Sequence, residues 1–173
     1  MTERYEYVLN LPAAAPSAEP GAGPGLVMAP VEPAACEPLA ALMLAAYRGT
    51  IDDEGATLDD ARAEIAAYLA GERGGTPDLA ASRLVWAGDL LVGACLAGDW
   101  TVRGCPLITY VMTDPAWKNR GLARLALVAA LHALAATGAR QARAVITAGN
   151  IPSERLFLGL GFQRVPPGSA AQR

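Results

Sequence analysis

Apolar residues recur along this chain at two spacings, and the switches between them mark out its elements. Tyr5, Tyr7 and Leu9 alternate with Glu6, Val8 and Asn10, a strand pattern. Pro12 to Pro24 is almost only Ala, Pro, Gly and Ser, a flexible or polyproline-like linker. Leu26 to Ala29 reads as a short strand. Leu39, Leu42, Met43 and Tyr47 keep helical spacing within Glu37 to Arg48, and a second helix is expected from Leu58 to Leu69. Thr57 is its expected N-cap, with Asp60 completing a variant capping box. Ser82 to Trp86 and Leu90 to Ala97 read as strands joined by the hairpin signal Ala87-Gly88-Asp89. Pro106 to Thr113 is a further strand, ended by Pro115, which cannot donate to a ladder. A long Leu/Ala helix is expected from Gly121 to Ala136, stopped by Gly138. Strand Ala142 to Thr147, helix Asn150 to Leu160 and strand Phe162 to Val165 complete the series.

After the N-terminal segment the order is strand, two helices, three strands, helix, strand, helix, strand. The long helix forms a crossover, so the strands on either side of it should be parallel. Mixed pairing with helices on both faces reads as α/β or α+β. Residues 1–25 are a candidate strand plus linker, 26–165 one domain, and 166–173 a short tail.

Composition narrows the function classes. With 173 residues, 53% hydrophobic and 18% charged, the chain suits one globular domain. A net charge of −3 gives no bulk case for nucleic-acid binding. Three scattered cysteines and one histidine fit no metal motif, so no metal is expected. The first residues lack an apolar signal core, and the longest apolar run, Leu122 to Ala136, carries Arg124 and His132. A cytoplasmic protein that does not enter membranes is therefore expected. The glycines of Gly21 to Gly25 follow no strand and precede no Gly-Lys-Ser/Thr, so they are not a nucleotide loop.

The chemistry concentrates where the strand ending at Thr113 gives way to the long helix. Lys118-Asn119-Arg120-Gly121-Leu122-Ala123-Arg124 is a basic turn with one glycine. The first N–H groups of a helix lack intrahelical partners and sit at the positive end of its dipole. With Gly121 allowing close approach, such a turn can cradle phosphate. It resembles the pyrophosphate signature of the Gcn5-related N-acetyltransferases, Gln/Arg-x-x-Gly-x-Gly/Ala, with Lys118, Gly121 and Ala123 in the three fixed places.

A second stretch, Asn150-Ile-Pro-Ser153-Glu-Arg-Leu156-Phe157-Leu-Gly-Leu-Gly161-Phe162, resembles the same family's Asn-x-x-Ala/Ser-x-x-Leu-Tyr-x-x-x-Gly-Phe. The exception is Phe157, which stands where the family has a tyrosine that often protonates the leaving thiolate. The glutamate base that many members place five residues before the asparagine is Val145 here. Phenylalanine and valine have no proton to exchange. Proximity with water as proton carrier, other groups such as Tyr110 or Tyr47, or loss of catalysis all remain open.

The resemblance covers about residues 26–165 and implies the acyl-CoA N-acyltransferase fold and acetyl-CoA as acyl donor. It implies that the main chain of Val111, Met112 and Thr113 bonds the pantetheine arm, with a free N–H of Met112 or Thr113 on the thioester oxygen. Amides from Asn119 to Arg124 would hold the pyrophosphate, Asn150 would bind the cofactor or an ordered water with its amide, and Ser153 and Leu156 would line the thiol end. The acceptor, a small-molecule or peptide amine, would sit between the first two helices near Tyr47, Thr50, Asp52 and Asp53; with Glu54 these acids would suit a cationic amine. His132 reads as a packed or surface side chain. The alternative is an acyl-CoA-binding sensor or partner subunit without turnover; a homodimer is left open. The family usually has a further strand after the one at Phe162, and Arg4 to Asn10 is expected to fill its place, in its own chain or in a partner's.

Overall fold

A computed structural model describes residues 3–12 and 21–166. The Ala/Pro/Gly linker falls largely on 13–20 and the tail on 167–173, outside the described residues. The strands are β1 (Arg4–Asn10), β2 (Val27–Ala29), β3 (Arg83–Ala87), β4 (Leu90–Trp100), β5 (Cys105–Thr113), β6 (Gln141–Thr147) and β7 (Gln163–Arg164). The helices are α1 (Cys36–Tyr47), α2 (Leu58–Leu69), α3 (Leu122–Ala136) and α4 (Ile151–Gly159). Two short 3-10 turns, Pro33–Ala35 and Pro115–Trp117, had no counterpart in the sequence reading. Both begin at a proline, whose fixed φ suits a first turn.

One mixed sheet runs β2-β3-β4-β5-β6-β1-β7. Only β5 and β6 pair in parallel, as the α3 crossover demands. Leu122, Leu127, Leu131 and Leu134 of α3 pack with Phe157 of α4 against one sheet face. Leu39 and Met43 of α1 and Ile65 and Tyr68 of α2 cover β3 to β5 on the other. Each such side chain, fully buried, contributes roughly 1.5–3 kcal/mol. Local chemistry sets the helix ends. Thr57 accepts from Asp60 N–H at 3.2 Å and Asp60 accepts from Thr57 N–H at 2.8 Å, a reciprocal capping box.

β1 fills the expected gap in its own chain. It runs antiparallel to β6 along its whole length, from Arg4 opposite Thr147 to Asn10 opposite Gln141, and pairs with β7 on its other edge. Tyr5, Tyr7 and Leu9 face the α3/α4 core, with Tyr7 buried. The even residues face the other way. There Glu6 joins Arg143 of β6 and Arg103 of the β4–β5 hairpin, the latter at 2.7 Å. Glu6 and Arg143 side chains are only 15% and 16% exposed, so this carboxylate is the shared counter-charge of two largely desolvated guanidiniums. Removing one partner of such a group leaves uncompensated charge. Glu6→Ala should therefore lower the unfolding free energy by about 2 kcal/mol, discounted for residual exposure. Urea denaturation would measure it, and a change below about 0.5 kcal/mol, the scale of a surface substitution, would contradict it.

Candidate functional site

The site originates in β5. Its ladder with β4 slips between Leu96 and Ala97, so that Leu96 faces Tyr110 while Ala97 faces Ile108. Thr109 is the extra residue of a β-bulge. Beyond it, β5 and β6 no longer pair: their parallel contact is confined to Leu107 opposite Arg143 and Ile108 opposite Ala144. Asp114 N–H bonds Val92 O at 2.9 Å, which fixes the phase of the β4–β5 ladder. Main-chain groups alternate sides along a strand. Tyr110 and Met112 therefore bond to β4, while Val111 and Thr113 turn their N–H and C=O toward the gap. This corrects the expectation for Met112, whose main chain is committed to the sheet. Val111 and Thr113 are the two that offer free groups there.

Past the 3-10 turn the chain reverses through two left-handed residues, Asn119 at φ 62 and Gly121 at φ 76. Asn tolerates this conformation and Gly prefers it. Among the described residues no carbonyl accepts from the N–H groups of Asn119 to Arg124, and the first helical bond runs from Leu125 N–H to Gly121 O at 2.9 Å. A Cβ on Gly121 would meet nothing within 4 Å, so the turn opens to space. Lys118, Asn119, Arg120 and Arg124 are exposed, Arg120 lying over the Trp117 ring. Leu122 is buried and Ala123 half-buried, so only their amides are available. The turn is a cationic nest of the kind an anion fills.

A cleft of about 630 Å³ opens between this gap and helices α1 and α2. Thr109, at the bulge, lines it with a buried hydroxyl that has no partner among the described residues. Tyr110 donates a short hydrogen bond to Glu64 of α2. Arg73 grips the same carboxylate with Nε at 2.8 Å and Nη2 at 2.9 Å. Arg73, with help from Tyr110, holds the Glu64 carboxyl below the usual glutamate range, against the pull of partial burial. Burial first, then Glu64, pushes the Tyr110 hydroxyl well above the ordinary phenol value. Burial, then Asp52 and Glu64, does the same to Tyr47, with Arg4 partly offsetting. Both remain phenols at neutral pH and can donate but not accept a proton from an ammonium.

The loop after α1 is organised by its own acids. Asp53 accepts from Gly49 N–H at 2.7 Å and Gly55 N–H at 2.9 Å, which holds its carboxyl below the usual range. Thr50 bonds Tyr47 O at 2.7 Å. Neither Asp53 nor Thr50 presents a free group, whereas Asp52 reaches across to Asn150. Asn150 donates to Asp52 at 2.7 Å and accepts from Ser153 N–H at 3.2 Å, so it caps α4 and ties it to the α1–α2 loop. Ser153, Phe157 and Val145 line the cleft; Phe157 is 4% exposed, edge-on to Phe162 at 4.9 Å. His132 is half-buried in mid-α3, as expected.

Sequence reasoning missed Glu64 and Arg73. Glu64 carried a signal: it stands three residues after Ala61 and four before Tyr68, on the apolar stripe of α2. A carboxylate there must find a partner. Arg73 sits in a turn-rich segment with no periodicity to read.

Residues 91–167 match the model of the family described as FR47-like protein. No curated protein matches the chain. Among solved structures, a GCN5-related N-acetyltransferase from Sphaerobacter thermophilus is 16% identical over 94% of this chain, with a TM-score of 0.68. The chain spans 48% of that protein's length. yncA of Salmonella typhimurium, solved with its cofactor acetyl-CoA, is 20% identical over 80% of each chain, TM-score 0.61. The ribosomal-protein-S18-alanine N-acetyltransferase of Escherichia coli is 14% identical over 82% of this chain and 79% of its own, TM-score 0.64.

The Glu64 network has a pH signature. A carboxyl held low in the fold stabilises above its unfolded value and loses that contribution as pH falls through the folded one. Glu64→Gln should melt below the wild type at neutral pH, and the gap should close below about pH 4, the ordinary glutamate range. Calorimetric melts across pH would measure this; a gap unchanged on acidification would contradict it.

Proposed function

We propose that the chain is an acetyl-CoA-dependent N-acetyltransferase of the GCN5-related superfamily acting on a primary amine, a reading supported by its fold and by the FR47-like match over residues 91–167. One observation carries the reading. Strands β5 and β6 part after Ile108 and Ala144, directly before a turn whose amides from Asn119 to Arg124 have no acceptor among the described residues. That pair of features fits a long donor with an amide-rich arm and a diphosphate.

The residues fit such a donor in detail. Val111 and Thr113 would bond the pantetheine arm as an added strand does. The nest, with Lys118, Arg120 and Arg124 around it, would hold the diphosphate. Acetyl-CoA, when bound, supplies the activated acyl carbon, which the acceptor nitrogen takes as the sulfur leaves as thiol. This chain's own groups do the rest. Val111 N–H, turned toward the gap, would polarise the thioester carbonyl. Glu64 fixes the Tyr110 hydroxyl, and Tyr110 and Tyr47, held well above the ordinary phenol value, can donate hydrogen bonds but neither give up nor take a proton readily. The ammonium proton goes to water, since no group described in the cleft is tuned to take it.

A second reading has a specific observation behind it. Phe157 is a buried apolar ring edge-on to Phe162, and at the thiol end of a bound donor it would suit an acyl-CoA sensor that does not turn its ligand over. Thioester loss in the presence of an amine panel separates the two.

Titration calorimetry with acetyl-CoA should give one site per chain. Gly121→Glu should weaken it by at least about 100-fold, or about 2.7 kcal/mol, because it places a β-carbon at φ 76 and a negative charge at the nest. Near-normal affinity in a folded Gly121→Glu protein would remove the diphosphate site from the proposal.

A further inference from the structure

Resting on that reading, we infer that the acceptor is a zwitterion, an amine that also carries an anionic group as an amino acid does, and that Arg4 and Arg48 receive the anionic end. The sequence offers an acidic loop that would suit a polycation. The fold commits most of those acids elsewhere. Both Asp53 oxygens are held by Gly49 and Gly55 amides. Asp60 is occupied by the Thr57 cap. Glu64 is gripped on both oxygens by Arg73. What stays free is Glu54, the second oxygen of Asp60, and one oxygen of Asp52, whose other oxygen takes the Asn150 amide.

Cations on the same walls are less committed. Arg4 lines the cleft and has no hydrogen-bond or ion-pair partner among the described residues. It stands opposite Thr147 at the end of the β1–β6 ladder, beside the turn that Ala148 N–H closes onto Glu3 O at 2.9 Å. Tyr47 lines the same cleft, and the charge of Arg4 slightly offsets the rise of its hydroxyl. Arg48, one residue past α1, makes one 3.4 Å hydrogen bond to Ala56 O, and its charge is a minor help in holding the Asp53 carboxyl low. A guanidinium without a partner at a cleft wall suits a carboxylate or phosphate, which it can hold through two parallel N–H bonds. A polyamine would meet Arg4 and Arg48 with like charge. The strand that completes the sheet therefore also supplies one side of the acceptor site, and Arg4 is a specificity-determining residue.

The test uses matched acceptors at saturating acetyl-CoA: amino acids against their amides, against the corresponding decarboxylated amines, and against spermidine. Amino acids should be consumed with kcat/KM about tenfold above their amides, the scale of one charge-assisted contact. Arg4→Gln should bring each pair to within about twofold by raising KM for the acid alone, with the acetyl-CoA affinity by calorimetry unchanged. Arg48→Gln should act in the same direction. Preference for amides or spermidine, consumption of no amino acid, or an acid-to-amide ratio untouched in both variants would overturn the inference. Those results leave the transferase reading standing, whereas absence of acetyl-CoA binding in the wild type removes both.

Discussion

Two parallel strands that pair over two residues and then separate impose the arrangement of everything around the cleft. Main-chain N–H and C=O groups cannot be buried without partners, so the inner edges of β5 and β6 must meet solvent or a ligand. The bulge at Thr109 decides what each edge presents. Ile108 faces the α3/α4 core, and in an unbroken strand Tyr110 and Met112 would face it too. One extra residue turns both onto the α1/α2 side instead. Tyr110 thereby meets Glu64, and Val111 and Thr113 are left with main-chain groups in the gap. A single inserted residue thus sets both the donor edge and the acceptor wall.

The far side of the gap depends on a strand from the other end of the chain. β6 has the gap on one edge and β1 on the other, so β1 is what keeps β6 in a sheet once β5 has left it. The Glu6 cluster reinforces that link, because Arg103 reaches it from the β4–β5 hairpin and Arg143 from β6. Three segments distant in sequence are held by one carboxylate in a partly desolvated place, where charge pairing is worth more than at the surface. Stability of the sheet and position of the cleft wall are therefore coupled through β1, which also carries Arg4.

Much of this was legible in the sequence, for reasons that differ by element. α2 was found to the residue because Thr57 and Asp60 form their capping box wherever that helix starts. The anion turn was legible because glycine, basic residues and a helix start fall within a few positions, and its function needs only backbone. The strand bounds shifted by a residue or so, and β4 ran on to Trp100, because hairpin ends have no chemical marker. The phase of β5 was not legible: whether Val111 or Met112 faces the gap depends on the slip at Leu96, which periodicity cannot reveal. The acidic loop was visible as composition, but not that Asp53 is consumed by two glycine amides. Arg4 was invisible as a site residue because it arrives from the far end of the chain, and Arg73 because its turn-rich segment has no periodicity.

The proton inventory of the cleft bears on how an acyl transfer could run there. Glu64 is held low by Arg73 and Tyr110, so it is a weak base near neutrality. Tyr47 and Tyr110 are held high, so they are weak acids as well as unavailable bases. Phe157 and Val145 add nothing. The groups present are thus tuned away from the pH at which a proton-transfer catalyst works best. What they do well is stay in one charge state and hold one geometry: a fixed hydroxyl, a fixed carboxylate, and two guanidiniums with little to hold. Orientation of reactants can by itself supply several kcal/mol of a barrier. A site of this kind gains rate by alignment and leaves deprotonation to water. Its selectivity must then come from where charges on the acceptor are received, not from which acceptor is easiest to deprotonate.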